Sequence, residues 1–284
     1  MRIIAFVDGS SYAASVCDHA AWAAAGAPEA RVELIHMLGR RDRSSQPVDL
    51  SGSLTLGARS TLMEDLARAD AERAKLAQAR GRLILENARD RLQAAGVGNV
   101  ETRQRNDDIL HAVRDYEAGA DLLVLGKRGE ASGFALEHLG SNLERILRSA
   151  AKPVLVANRA FRPIRRCLLA YDGGESVARA VHFLADPARF PDLAFHLLNV
   201  GPDTSATRAK MEDAARPLHA AGRDVEIEIT DGEPDTVIER TVETGGIDLL
   251  AIGAHGHSRI RNLFIGSTTT ALIRGCKVPV ILVR

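Results

Sequence analysis

Four landmarks recur in the same order along this chain, and a polypeptide built twice from one unit has to fold as two copies of one architecture. Ala5-Phe6-Val7-Asp8-Gly9-Ser10 resembles Leu169-Ala170-Tyr171-Asp172-Gly173-Gly174 at an offset of 164. The run from Asp121 to Gly126 resembles that from Asp248 to Gly253 at an offset of 127. Leu139-Gly140-Ser141 resembles Ile265-Gly266-Ser267, and Pro153-Val154-Leu155-Val156 resembles Pro279-Val280-Ile281-Leu282, both at 126. The fall from 164 to 127 gives the first copy about 37 extra residues. Arg31–Met37 still matches Ala194–Val200, and Ala95-Gly96 matches Ala221-Gly222, so the insertion lies between about residues 38 and 94. Phe161-Arg162-Pro163 reads as a short linker with a proline stop, dividing the chain into residues 1–160 and 164–284.

Each copy alternates strands with helices. In the second copy strands are expected at Arg166–Tyr171, Ala194–Val200, Asp224–Ile229, Asp248–Ile252 and Val278–Val283. Helical patterns fill the gaps at Glu175–Ala185, Ser205–Ala220, Glu233–Glu243 and Ser267–Arg274. The nearly all-apolar Leu249–Ile252 suits a central parallel strand covered on both faces. The expected fold is therefore α/β, as two tandem doubly wound domains. Each is a five-stranded parallel sheet with helices on both faces and ligands beyond the carboxyl ends of the strands. Within the insertion, the polar Arg40–Ser60 reads as a loop and Thr61–Ala95 as one long helix. Leu62, Leu66, Ala69, Leu76, Leu83, Ala88 and Leu92 form its apolar stripe, which marks either a packing helix with a solvated far face or a partner-binding arm.

Lys+Arg and Asp+Glu both number 37, so nothing global draws the chain to nucleic acid or an anionic membrane. Cys17, Cys167 and Cys276 stand apart from one another, as small core residues of a protein in a reducing compartment do. Ile3–Val7 is too short for a signal peptide and runs into Asp8-Gly9, so the expected location is the cytoplasm.

The chemistry sits in the glycine loops. Gly253 ends a strand, Gly256 follows three residues later, and Gly266 precedes Ser267 and Thr268 at the start of a helix. Glycines let backbone N–H groups approach an anion, and a helix N-terminus adds partial positive charge. Such a loop fits a di- or triphosphate; the alternative is that its glycines only make turns. The first copy offers Gly126, Gly129, Gly140, Ser141 and Asn142, with ten residues rather than nine before the third glycine. Lys127 and Arg128 add charge to this loop, and Glu130 and Glu137 oppose it. Asp8 and Asp172 end the first strands, where a carboxylate accepts from ribose hydroxyls, helps to hold a divalent cation such as Mg2+, or caps the next turn. The loop histidines His138, His255 and His257 lack metal-site spacing, so no metal site is expected.

Gly253, Gly256, Gly266 and Ser267 match G-x2-G-x9-G-[ST], and with Val7-Asp8-Gly9-Ser10 and the final strands they make the chain similar to the universal stress protein family, as a tandem member. The resemblance implies an adenine-nucleotide α-hydrolase-like fold and ATP as the ligand. Asp172 and the backbone near Val200 would meet ribose and adenine, and Gly253, Gly256, Gly266, Ser267 and Thr268 the phosphates. Asp8, Met37, Gly126, Gly129, Gly140, Ser141 and Asn142 would take these places in the first copy. It further implies an intrachain pseudo-dimer through the last strands, and it is compatible with a homodimer.

The implied role is a stress-response sensor that is non-catalytic or hydrolyses ATP only slowly. Two other readings stay open, a nucleotide-free adaptor and an ATP-consuming enzyme. Asp172-Gly173-Gly174-Glu175-Ser176 faintly echoes the S-G-G-x-D-S loop of ATP pyrophosphatases, but the first Ser and the Asp are replaced. The chain has neither G-x4-G-K-[ST] nor G-x-S-x-G.

Overall fold

The computed structural model describes residues 1–38, 56–130, 141–254 and 267–284, with the backbone alone described for 56–60, Ser141 and Ser267. The first half runs β1 (Arg2–Phe6), α1 (Ala13–Ala24), β2 (Arg31–Met37), α2 (Leu56–Ala94), β3 (Asn99–Arg105), α3 (Ile109–Glu117), β4 (Leu122–Gly126), α4 (Ser141–Ser149) and β5 (Val154–Ala157). The second runs β6 (Arg166–Ala170), α5 (Glu175–Ala185), β7 (Ala194–Val200), α6 (Ser205–Ala220), β8 (Val225–Thr230), α7 (Pro234–Thr244), β9 (Leu249–Gly253), α8 (Ser267–Gly275) and β10 (Val280–Val283).

All ten strands form one sheet in the order β3-β2-β1-β4-β5-β10-β9-β6-β7-β8. Within each half the pairings are parallel, and the halves join where β5 meets β10 antiparallel. The repeated landmarks turn out to be bonding positions. Asp121 Oδ2 accepts from the Arg2 amide as Asp248 Oδ2 does from the Arg166 amide. The Pro153 and Pro279 carbonyls likewise accept from Leu123 and Leu250. Gly96 and Gly222 sit just past α2 and α6 at φ +90° and +72°, the left-handed conformation that lets a helix end in a tight turn.

Strand side chains alternate between two cores, one on each face of the sheet. Ile3, Ala5, Val32 and Leu34 pack with α1, α2, α5 and α6, while Ile4, Phe6 and Ile35 share a core with α3, α4, α7 and α8. Both cores run through both halves. The three free cysteines are buried in them, and burial pushes the Cys17 thiol up to about 12 and raises the Cys167 thiol too, so both stay protonated.

Two expectations for the insertion need correcting. Helix α2 starts at Leu56, inside the stretch read as a loop, and residues 39–55 lie outside the described residues. Of the proposed stripe only Ala88 and Leu92 are buried, joined by Leu85, whereas Leu76 and Leu83 are 70% and 60% exposed. Leu85, Ala88 and Leu92 match buried Met211, Ala214 and Leu218 of α6 at the offset of 126. At about 1.5 Å per residue, α2's 39 residues make it far longer than the 16-residue α6, and among the described residues its burial is concentrated in the half that matches α6.

Candidate functional site

The carboxyl ends of β6, β7 and β9 lie together where the strand order reverses, the place at which open α/β sheets bind ligands. A cleft of about 200 Å³ opens here, lined by Tyr171, Asp172, Gly173, Val200, Thr207 and Lys210 among others. Asp172 and Val200, named from the sequence, thus stand in one wall. Asp172 Oδ1 accepts from the Gly174 amide at 2.8 Å, fixing the turn after β6. The N-cap residue of α5 is Gly174, which has no side chain to cap with, and Asp172's bond to its amide holds the turn that leads into the helix. Asn199 Nδ2 donates to the Tyr171 carbonyl at 2.8 Å and locks the end of β7 to that of β6. Burial, then the nearby Asp172 and Asp213 carboxylates, raise the Tyr171 hydroxyl above its usual range, so it remains a donor.

Gly253 closes β9 under tight constraint. A Cβ there would collide with Ser176 Oγ and lie 3.0 Å from the Val177 amide nitrogen at the start of α5. Its carbonyl faces α8, where Thr269 Oγ1 donates to it at 3.5 Å, and Thr268 stands one residue earlier in that first turn. Gly256 and Gly266 lie outside the described residues, and only the backbone of Ser267 is described. Thr207 and Lys210 were not singled out from the sequence. The helix after β7 has to start beside that strand's carboxyl end, and this was the available signal.

The first half repeats the frame with different contents. His36 Nδ1 meets the Val7 carbonyl at 2.9 Å, as Asn199 meets Tyr171. Asp8 Oδ1 accepts from the Ser10 amide at 3.0 Å, and its Oδ2 accepts from the Glu130 amide at 2.8 Å. Gly129 lies against that carboxylate, since a Cβ on it would come within 2.9 Å of Asp8 Oδ2. Met37 ends β2, Gly126 packs on Tyr12, and Asn142 is exposed in the first turn of α4. Gly140 lies outside the described residues, as do Glu137 and the three loop histidines; of Ser141 only the backbone is described. Lys127 does not serve the loop: its Nζ donates to the Cys276 carbonyl of the other half at 2.9 Å, and burial lowers its pKa. Among the described residues no three His, Cys, Asp or Glu side chains are grouped to hold a metal ion.

A larger cleft, about 400 Å³, lies between the halves against Trp22, Phe161 and Phe190. It is at the amino ends of the strands, away from Asp8, Asp172, Gly126 and Gly253.

The model of the universal stress protein family matches residues 1–158 and 203–284. Universal stress protein Slr1230 of Synechocystis sp. is 36% identical over 286 aligned positions, covering 100% of this chain and 99% of that protein. A universal stress protein of Mycolicibacterium smegmatis is 28% identical, covering 65% of this chain and 69% of its own length. Among solved structures, a universal stress protein from Archaeoglobus fulgidus superposes with a TM-score of 0.72 at 18% identity, covering 100% of this chain and 98% of that one. Among the described residues no helix is long and apolar enough to cross a membrane.

Proposed function

The chain belongs to the universal stress protein family, and from that premise we propose that its second half binds ATP at the carboxyl ends of β6, β7 and β9, as a sensor that does not turn the nucleotide over or does so only slowly. The observation that carries this reading is the cleft holding Asp172 and Val200 on the half whose loop has the spacing G-x2-G-x9-G-S. Asp172 keeps one carboxylate oxygen on its own turn and has the other to accept from ribose hydroxyls. The backbone at Val200 and Gly201 offers hydrogen-bonding groups for a purine edge, and Lys210 places a cation at the cleft's rim. The N-terminus of α8, whose first amides have no partner within the helix and which carries partial positive charge, is the natural seat for phosphate. A Mg2+ ion accompanying ATP fits a single carboxylate, because such ions take one or two carboxylates and complete their shell with phosphate and water. The sequence nominates no acid–base pair for a substrate other than the nucleotide, which favours the sensor over an ATP-consuming enzyme.

The test is calorimetric titration with ATP, together with mass spectrometry of nucleotide released from the freshly purified protein. Wild-type protein should bind, and Asp172→Ala and Gly266→Val should each weaken the second-half site at least tenfold. Binding untouched by both substitutions would overturn the assignment, and rapid turnover would favour the enzyme.

A further inference from the structure

The two halves differ at their aspartates. In the second half Gly173 lines the open cleft. In the first half its counterpart Gly9 is covered: the Arg80 guanidinium lies where a Cβ on Gly9 would come within 2.7 Å of Nη2. Arg80 is ion-paired with the Glu130 carboxylate, and the Glu130 amide donates to Asp8 Oδ2. Asp8 Oδ1 is already taken by Ser10. Both oxygens of the carboxylate that would meet a ribose are therefore bonded to the protein's own amides. The helix closes in as well. Gly81, which takes the place of cleft-lining Thr207, packs against His36 and Gln104, and Gln104 Nε2 donates to the Gln78 carbonyl at 3.3 Å. At the positions matching Arg80 and Glu130 the second half has Ala206 and His257, and an alanine side chain cannot form the ion pair.

We propose that Arg80, Glu130 and Asp8 form a latch that shuts the first-half nucleotide site with the protein's own chain, leaving the second half as the open site. The proposal rests on the nucleotide reading above for its consequence, but not for the latch itself. Arg80 lies in the part of α2 that matches α6, so the exchange of Arg80 and Glu130 for Ala206 and His257, and not the inserted length, makes the two sites unequal. Each side chain of the pair is about half exposed, so the latch is weak and salt-sensitive. It biases the first site rather than abolishing it, and ligand and latch compete for Asp8 Oδ2.

Two readouts on the full chain test it. Hydrogen exchange at the Glu130 amide reports the latch without nucleotide. Arg80→Ala leaves that amide's intrinsic rate unchanged and should speed its exchange about fivefold, the upper range for one exposed ion pair. Titration with ATP in an Asp172→Ala background isolates the first-half site, and there Arg80→Ala should tighten binding by up to about fivefold. Glu130→Gln should tighten it to the same degree, and combining it with Arg80→Ala should add nothing. Equal exchange with and without Arg80, or two equal ATP sites in the wild-type chain, overturns the latch. If no form of the protein takes up ATP, the nucleotide reading falls, while the exchange rates still decide whether the latch exists.

Discussion

Leu155 on β5 stands opposite Ile281 on β10, both wholly buried, in the antiparallel ladder that joins the two halves. Each belongs to the core on the α1 and α5 face of the sheet. The seam is thus built like the interior of a domain and not like a contact between two finished ones. Ile281→Ala removes methyl groups from a site that strands on both sides hold open. It should cost about 2–5 kcal/mol in chemical denaturation. A loss below about 1 kcal/mol would mean that the halves meet loosely.

Gly253 supplies a second test, of packing at the candidate site. A methyl group there meets Ser176 Oγ and the Val177 amide, so Gly253→Ala has to push the start of α5 away from β9. Overpacking of this kind costs about 1–3 kcal/mol. Ser176→Ala removes the nearest atom, so the double variant should recover part of that loss. The measurement is a double-mutant cycle on denaturation midpoints, and strict additivity would count against the contact.

Most of the fold was legible in the sequence, for reasons particular to its elements. Leu249–Ile252 is apolar on both faces because helices cover both sides of β9, and Asp248 recurs because its carboxylate holds the first amides of the neighbouring strand. The joining of β5 to β10 was not readable from pattern alone. Val154–Val156 and Val280–Leu282 read the same whichever strand lies beside them, and only the family resemblance suggested the pairing. In α2 the periodicity showed which residues share a face, but not whether anything packs against it, hence the misplaced Leu76 and Leu83. The Arg80–Glu130–Asp8 chain links residues 50 and 122 positions apart, and no local spacing encodes it.

His19 should make stability fall on mild acidification. Its ring is fully buried, with Nδ1 2.7 Å from the Ser15 carbonyl and Phe161 packed edge-on at 5.0 Å. Burial lowers its pKa below 6.5, outweighing the Ser15 bond and the Asp18 charge. The unfolded chain then takes up a proton before the native one does. The stabilisation is present in full above pH 6.5 and drains away as pH falls from there towards the lower native pKa, by at most about 1.4 kcal/mol per pH unit. Denaturation midpoints of wild type and His19→Gln, compared between pH 8 and 5, should converge as pH falls. Parallel curves would show that His19 does not titrate differently in the two states.

Arg223 is the residue whose conservative replacement should fail most clearly. Its guanidinium is buried behind α5, where Nη1 donates to the Pro191 carbonyl at 2.6 Å, Nη2 to Asp186 at 3.1 Å and Nε to Ala185 at 3.4 Å. One planar group thereby satisfies the C-terminal end of α5 and the loop leading to β7. Lysine carries the same charge, but its single ammonium cannot reach three carbonyls spread along one plane. It would leave buried acceptors unpaired, each costing about 1–3 kcal/mol. Arg223→Lys should therefore destabilise the chain by at least about 2 kcal/mol, close to the loss from Arg223→Ala. The denaturation midpoints of the two variants decide it: if lysine restores near-wild-type stability, charge at this position matters and the three-carbonyl geometry does not.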